Sequence, residues 1–152
     1  MAQKYVIGID AGTTGCRTVI FDLTGTEVGS GYKENALRYP QAGWVEFGVP
    51  EIIENCYAST REALKKTGID PKEVASISFT YMRPVACLRG EGENEWVRDI
   101  QMWQDMRCAS IFPYMTAQLA KHGLSPDDLY DITGFPYSTV WMLGKSLWDG
   151  GF

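Results

Sequence analysis

Histidine is nearly missing from this chain: His122 stands alone among 152 residues. Its four cysteines, Cys16, Cys56, Cys87 and Cys108, lie far apart, with no C-x-x-C pair. This excludes the ligand spacing of a zinc site, and with no G-x-S-x-G there is no case for a Ser-His-Asp hydrolase. No disulfide framework is indicated, which suits a reducing compartment. Basic runs are absent too: 14 Lys and Arg against 19 Asp and Glu leave a net charge of −5, scattered along the chain. That balance argues against a nucleic acid or an anionic membrane as partner, and for a small molecule. No apolar run approaches the ~20 residues that span a bilayer. The polar start "MAQK" leads straight into "YVIGID" with no signal-peptide core. A cytoplasmic location is expected.

What is present is a chain of 45% apolar residues, enough for a core of its own, that by length reads as one domain. "YVIGID" and "RTVIFD" are short apolar runs that suit neighbouring strands buried on both faces. A turn at Thr24-Gly25 leads to a third strand weakened toward an edge by Gly29 and Gly31, which completes an antiparallel meander. From Asn35 to Gly48 no period is kept, so this is a long loop, and it carries Trp44 and Glu46.

A helix follows from Pro50 to Gly68, with Ile53, Cys56, Tyr57, Thr60, Ala63 and Leu64 on one face. "VASISFTYM" alternates as a strand and should return parallel to the first. Two more strand-like pieces are expected within 85–103, around an acidic, glycine-rich turn. A helix should then run to Lys121, with His122 at its end and not as a catalyst. Ser125 and Pro126 open another helix, and "STVWMLGKSLWD" reads as the last one.

The chemistry concentrates in "GIDAGTTGCRTVIFD", Gly8 to Asp22. It can be a bare hairpin, or a phosphate grip, or both. Asp10 falls at the carboxyl end of the first strand, where open sheets place ligands. Gly12 lets backbone approach an anion, the N–H groups from Gly12 to Gly15 can point inward, and Thr13, Thr14 and Arg17 add donors and charge. A carboxylate beside phosphates is where Mg²⁺ is held. "LGKS" at Leu143 to Ser146 ends like a Walker A loop, but Thr139 stands where glycine is required and a helix is in progress. Asp127 and Asp128 suit a helix first turn better than glycosidase chemistry.

"GIDAGTTGCRTVIFD", "YPQAGWVEF", "TYMR" and "MWQDMRC" occur in the order, and near the spacing, found at the start of the FGGY family of carbohydrate kinases, which this chain therefore resembles. The resemblance implies an α/β, ribonuclease H-like (actin-like ATPase) mixed sheet with flanking helices. It also implies transfer of the ATP γ-phosphoryl to a sugar or polyol hydroxyl. On it, Asp10 helps hold Mg²⁺ and Gly12, Thr13, Thr14 and Arg17 face the transferring phosphate. Arg83 falls where members acting on a polyol carry an arginine that binds it. Trp103, Asp105 and Arg107 fall on W-x-D-x-R, so Trp103 and Asp105 belong to the substrate wall.

Those polyol-binding members have an acid directly after the arginine, where this chain has Pro84, so a larger sugar, ketose or polyol suits it as well as glycerol. The resemblance also implies that the catalytic base and the adenine-binding domain lie beyond Phe152. Residues 1–152 would then be the N-terminal part of the first kinase domain, inactive alone. The apolar cluster of Trp141, Met142, Leu143, Leu147 and Trp148 should favour self-association. A rival from another class is a non-catalytic actin-like nucleotide-binding or assembly module, which has no use for Arg83 or W-x-D-x-R. A second is a structural domain with an incidental turn.

Overall fold

A computed structural model describes residues 3–83, 85, 87–88, 90–92 and 95–151. The chain divides into two compact units, Met1–Ala36 with Phe47–Met82 and Leu37–Glu46 with Arg83–Phe152.

The first unit is a four-stranded mixed sheet with one long helix. Strands β1 (Tyr5–Ala11), β2 (Gly15–Asp22) and β3 (Glu27–Glu34) form the expected antiparallel meander. A two-residue strand β4 (Glu46–Phe47) precedes helix α1 (Val49–Thr67). Strand β5 (Val74–Tyr81) then pairs parallel with β1, giving the order β3-β2-β1-β5. The Asp22 carboxylate fixes the β2–β3 turn by accepting the Thr24 and Thr26 N–H groups at 2.8 and 3.0 Å, while Gly25 supplies the positive φ of 88°.

Ile7, Ile9, Ile20 and Ala63 form the core between sheet and helix, and each isoleucine side chain contributes about 1.5–3 kcal/mol on burial. One face of β1 is buried and the other is not, because α1 covers a single side of the sheet. Gly31 permits that contact: a Cβ there would stand 2.9 Å from the Ala63 backbone nitrogen. Of the expected α1 face, Ala63 is buried and Cys56 and Leu64 pack against the core, but the fully buried stripe is shifted. It runs through Val49, Ser59 and Ala63, while Ile53 and Tyr57 are exposed. The reason is polar: Thr18 on β2 is fully buried and bonds the hydroxyls of Ser59 and Thr60 at 2.9 and 3.0 Å, which turns those residues inward. Ile77, Phe79 and Tyr81 are in register with Ile7, Ile9 and Ala11 yet stay more than half exposed, since α1 lies toward the β3 side.

The second unit holds β6 (Ile100–Gln101), a 3-10 turn at Arg107–Ile111, and helices α2 (Phe112–Lys121), α3 (Pro126–Thr133) and α4 (Met142–Asp149). His122 caps α2 and is exposed, as its place before Gly123 suggested. Ser125 and Asp128 close a reciprocal capping box on α3. The two strand-like pieces expected across 85–103 reduce, among the described residues, to β6 and a pair of cross-links. Gly90 N–H donates to the Glu95 carbonyl at 2.7 Å, and Val97 N–H to that of Leu88 at 3.0 Å. The last helix also starts later than expected. Trp141 is extended and its N–H closes a turn on the Ser138 carbonyl at 3.0 Å, so 138–140 are not helical. Met142 and Leu143 are exposed, while Trp141, Leu147 and Trp148 are partly covered. Among the described residues no helix is long and apolar enough to cross a membrane.

Candidate functional site

In the first unit the sequence-marked turn is a tight hairpin between β1 and β2, with Thr13 and Thr14 at its tip. Ala11 pairs with Cys16, and the Gly12 N–H donates to the Gly15 carbonyl at 3.0 Å. The Gly12 N–H is thus spent inside the turn, a correction to the reading in which all four N–H groups face an anion. Neither Gly12 nor Gly15 has a positive φ. Their lack of a side chain answers to space instead: a Cβ on Gly15 would meet the Tyr32 hydroxyl and come 2.5 Å from the Lys33 carbonyl oxygen.

Along β1 the side chains alternate, with Ile7, Ile9 and Ala11 against α1 and Asp10 on the open face. Asp10 is directly opposite Arg17 on β2 and in register with Thr80 on β5. Cross-strand partners share a face, so a carboxylate, a guanidinium and a hydroxyl line up beside the turn. Asp10, Thr14 and Arg17 are exposed, and Gly12 and Thr13 are half-buried. The Asp10 carboxylate makes no hydrogen bond or ion pair with the described residues. It therefore remains open to a ligand.

A residue without a sequence signal completes the turn. Asn35, just after β3, is buried and donates its side-chain amide to the carbonyls of Gly12 and Thr13 at 2.9 and 3.4 Å. Its backbone N–H donates to the Thr14 carbonyl at 2.9 Å. Nearby, burial and the neighbouring Cys56 thiol push the Cys16 thiol up to about 12, with the two sulfurs 3.5 Å apart.

In the second unit Arg83 is exposed, two residues past the end of β5, and Pro84 lies outside the described residues. Trp103 is 41% exposed. Asp105 is entirely buried. Its carboxylate accepts the Val45 N–H at 2.7 Å, the Arg107 N–H at 3.0 Å and the Arg107 Nε and Nη2 at 2.9 and 2.7 Å. Burial alone would raise its pKa, but these donors outweigh it and hold the carboxyl below its ordinary value. With every acceptor position used by the protein, Asp105 departs from the expected direct substrate contact.

The same network explains the long loop. Arg107 also pairs with Glu46 at 2.7 Å and lies over the Trp44 ring, so the loop's two marked residues are anchored by one arginine. Lys145, set aside as a false Walker lysine, is fully buried in α4 and donates to the Met102 and Asp105 carbonyls at 2.9 and 3.1 Å. Burial pushes its pKa down. It pins the W-x-D segment from below. Periodicity alone could not reveal this.

The chain is similar to known proteins in both sequence and fold. A glycerol kinase from Desulforamulus reducens is 39% identical over 111 residues, 73% of this chain and 22% of that protein. One from Synechocystis sp. is 32% identical over 146 residues, 96% of this chain and 28% of the relative. Among solved structures, ligand-bound xylulose kinase from Lactobacillus acidophilus superposes with a TM-score of 0.73 at 27% identity, covering 95% of this chain and 28% of that one. Plasmodium falciparum glycerol kinase with ADP gives 0.77 at 20% identity, over 97% and 28% of the two chains, a likeness of fold. The chain thus spans about a quarter of the length of the relatives it matches. The fold is the α/β, ribonuclease H-like and actin-like arrangement that the resemblance implied. A family model for the N-terminal domain of the FGGY carbohydrate kinases matches residues 5–148, and the chain belongs to that family.

Proposed function

We propose that the gene product carrying this chain transfers the γ-phosphoryl group of ATP to a hydroxyl of a sugar or polyol in the cytoplasm. The observation that carries this reading is the grouping on one sheet face of Asp10, Arg17 and the Thr13-Thr14 tip, in a chain of kinase ancestry. Phosphoryl transfer asks the protein mainly for positioning and charge stabilisation, and these groups supply both.

The residues fit Mg²⁺. Among the described residues the Asp10 carboxylate, a hard oxygen donor, has no hydrogen-bond or ion-pair partner, and no cluster of three His, Cys, Asp or Glu side chains competes with it. A lone carboxylate plus substrate phosphates is the usual Mg²⁺ setting. When bound there, the ion would neutralise charge on the phosphates. Arg17 and the Thr13 and Thr14 hydroxyls then orient the transferring group, and Gly12 keeps the approach clear. Arg83 binds carbohydrate hydroxyls, and half-exposed Trp103 offers them an apolar wall. Asp105 serves that wall indirectly, by fixing Arg107 and the Trp44 loop.

The named relatives are glycerol kinases, with xylulose and gluconate kinases among the structural neighbours. With Pro84 in place of an acid after Arg83, a pentulose, hexulose or longer polyol is the preferred acceptor, and glycerol is turned over poorly. An ADP-release assay of the full gene product against a panel of polyols, pentuloses and hexuloses tests this. ATP turnover dependent on one of them is expected. No carbohydrate-dependent turnover across the panel would count against the reading.

A further inference from the structure

Asn35 touches three consecutive carbonyls of the hairpin tip. Its side-chain amide takes those of Gly12 and Thr13, at 2.9 and 3.4 Å, and its backbone N–H takes that of Thr14, at 2.9 Å. In a planar trans peptide the C=O of one residue and the N–H of the next point in opposite directions. Drawing the carbonyls of residues 12, 13 and 14 toward Asn35 therefore turns the N–H groups of Thr13, Thr14 and Gly15 away from it. The tip amides are aimed by a single residue at another strand end, two of them through its side chain and one through its backbone.

Asn35 is itself held. Its Oδ1 accepts the Asn55 side-chain amide from α1 at 2.9 Å and the Cys16 thiol at 3.8 Å. With Oδ1 facing these donors, Nδ2 must face the turn, so the amide cannot flip without losing bonds on both sides. The residue is 8% exposed, and an unpaired amide there would be costly. A helix residue thus orients Asn35, and Asn35 orients the tip.

We propose that Asn35 is a positioning residue for phosphoryl transfer, presetting the N–H groups of the Thr13-Thr14 tip toward the nucleotide phosphates. This rests on the phosphate-facing reading of that turn given above. Preset donors cost no reorganisation when charge develops on the transferring group.

The test uses Asn35→Asp, Asn35→Leu and Asn55→Ala in the full gene product. Asn35→Asp keeps the size and the Oδ1 acceptor, but replaces the donor with an oxygen that repels the Gly12 and Thr13 carbonyls. Amide hydrogen exchange over residues 11–16, without ligand, should accelerate at least about tenfold in Asn35→Asp, with β1 unaffected. The Kd for Mg·ATP should rise by about tenfold or more while the Kd for the carbohydrate stays within about twofold. In Asn35→Asp the loss should shrink toward acidic pH, because a protonated carboxyl can again donate to one carbonyl. Asn55→Ala should show the same pattern more weakly, and it serves where Asn35→Leu does not fold. Unchanged exchange in the turn would overturn the proposal. So would equal losses of Mg·ATP and carbohydrate affinity, the sign of general destabilisation. If the wild-type protein fails to bind Mg·ATP, the phosphate reading of the turn is overturned instead, and the exchange data still decide whether Asn35 holds the tip.

Discussion

The Arg107 guanidinium lies 3.7 Å from the centroid of the Trp44 ring while bonding Asp105 and Glu46, each at 2.7 Å. One planar cation thus stacks and pairs at once, a combination an ammonium cannot reproduce. Arg107→Ala leaves a buried carboxylate without its counter-ion and should destabilise the protein by about 3–5 kcal/mol. Arg107→Lys should recover less than half of that. Urea denaturation measures both, and a loss for Arg107→Ala under ~0.5 kcal/mol, the range of an ordinary surface change, would contradict this role.

Gly31 should be the least replaceable glycine of the first unit's sheet. A Cβ there collides with the backbone of α1, which cannot yield as a flexible side chain does, whereas at Gly8 it would meet nothing within 4 Å. Gly31→Ala is expected to cost about 1–3 kcal/mol. Gly8→Ala should stay within ~0.5 kcal/mol. Equal thermal shifts for the two would show that the helix contact does not limit the site.

How much of this was legible beforehand depended on the range of the interaction. The β1–β2–β3 meander, the Gly68 and Ser125 caps of the helices and the parallel return of β5 followed from local chemistry, and they stand. Ala63, Cys56 and Leu64 of α1 face the core as expected, but Ile53 and Tyr57 do not, because Thr18, 41 residues before its Ser59 partner, shifts the buried stripe. Asp105 looked like a ligand contact because its four donors, among them the Val45 N–H 60 residues away, are invisible in sequence. That Asp10, Thr13, Thr14 and Arg17 are neighbours was legible because a hairpin brings them together. Asn35 was not, since an asparagine after a strand has no pattern of its own.

Cysteine reactivity should follow burial. The Cys16 thiol, pushed up to about 12 chiefly by desolvation, should resist iodoacetamide at pH 8 until the protein unfolds, whereas exposed Cys87 reacts at once. A raised folded pKa also fixes a sign. The contribution is fully present below the unfolded value near 8.5 and is lost as pH rises from there through about 12. Cys16→Ala should flatten that alkaline decline in a pH series of denaturation midpoints. Rapid labelling of Cys16 in the native protein would contradict its burial.

Arg83 should discriminate carbohydrate from nucleotide. A charged donor to a substrate hydroxyl contributes about 1.5–3 kcal/mol, so Arg83→Ala should raise the carbohydrate KM by about 10- to 150-fold. The ATP KM should move by less than about threefold. Equal shifts in both constants would remove Arg83 from the carbohydrate site.

The phosphate-facing hairpin is tested most directly by Asp10→Asn in the full gene product, read as kcat for carbohydrate-dependent ADP release beside the melting temperature. Asparagine keeps the shape, and the exposed carboxylate has no hydrogen-bond or ion-pair partner among the described residues, so folding should be unaffected. A metal-holding charge contributes several kcal/mol to a transferring phosphoryl group, which is a loss of at least about 100-fold in kcat. A drop of that size at an unchanged melting temperature is the expected result. Turnover within about threefold of wild type would contradict the role of Asp10, and with it the assignment of this hairpin to the phosphates.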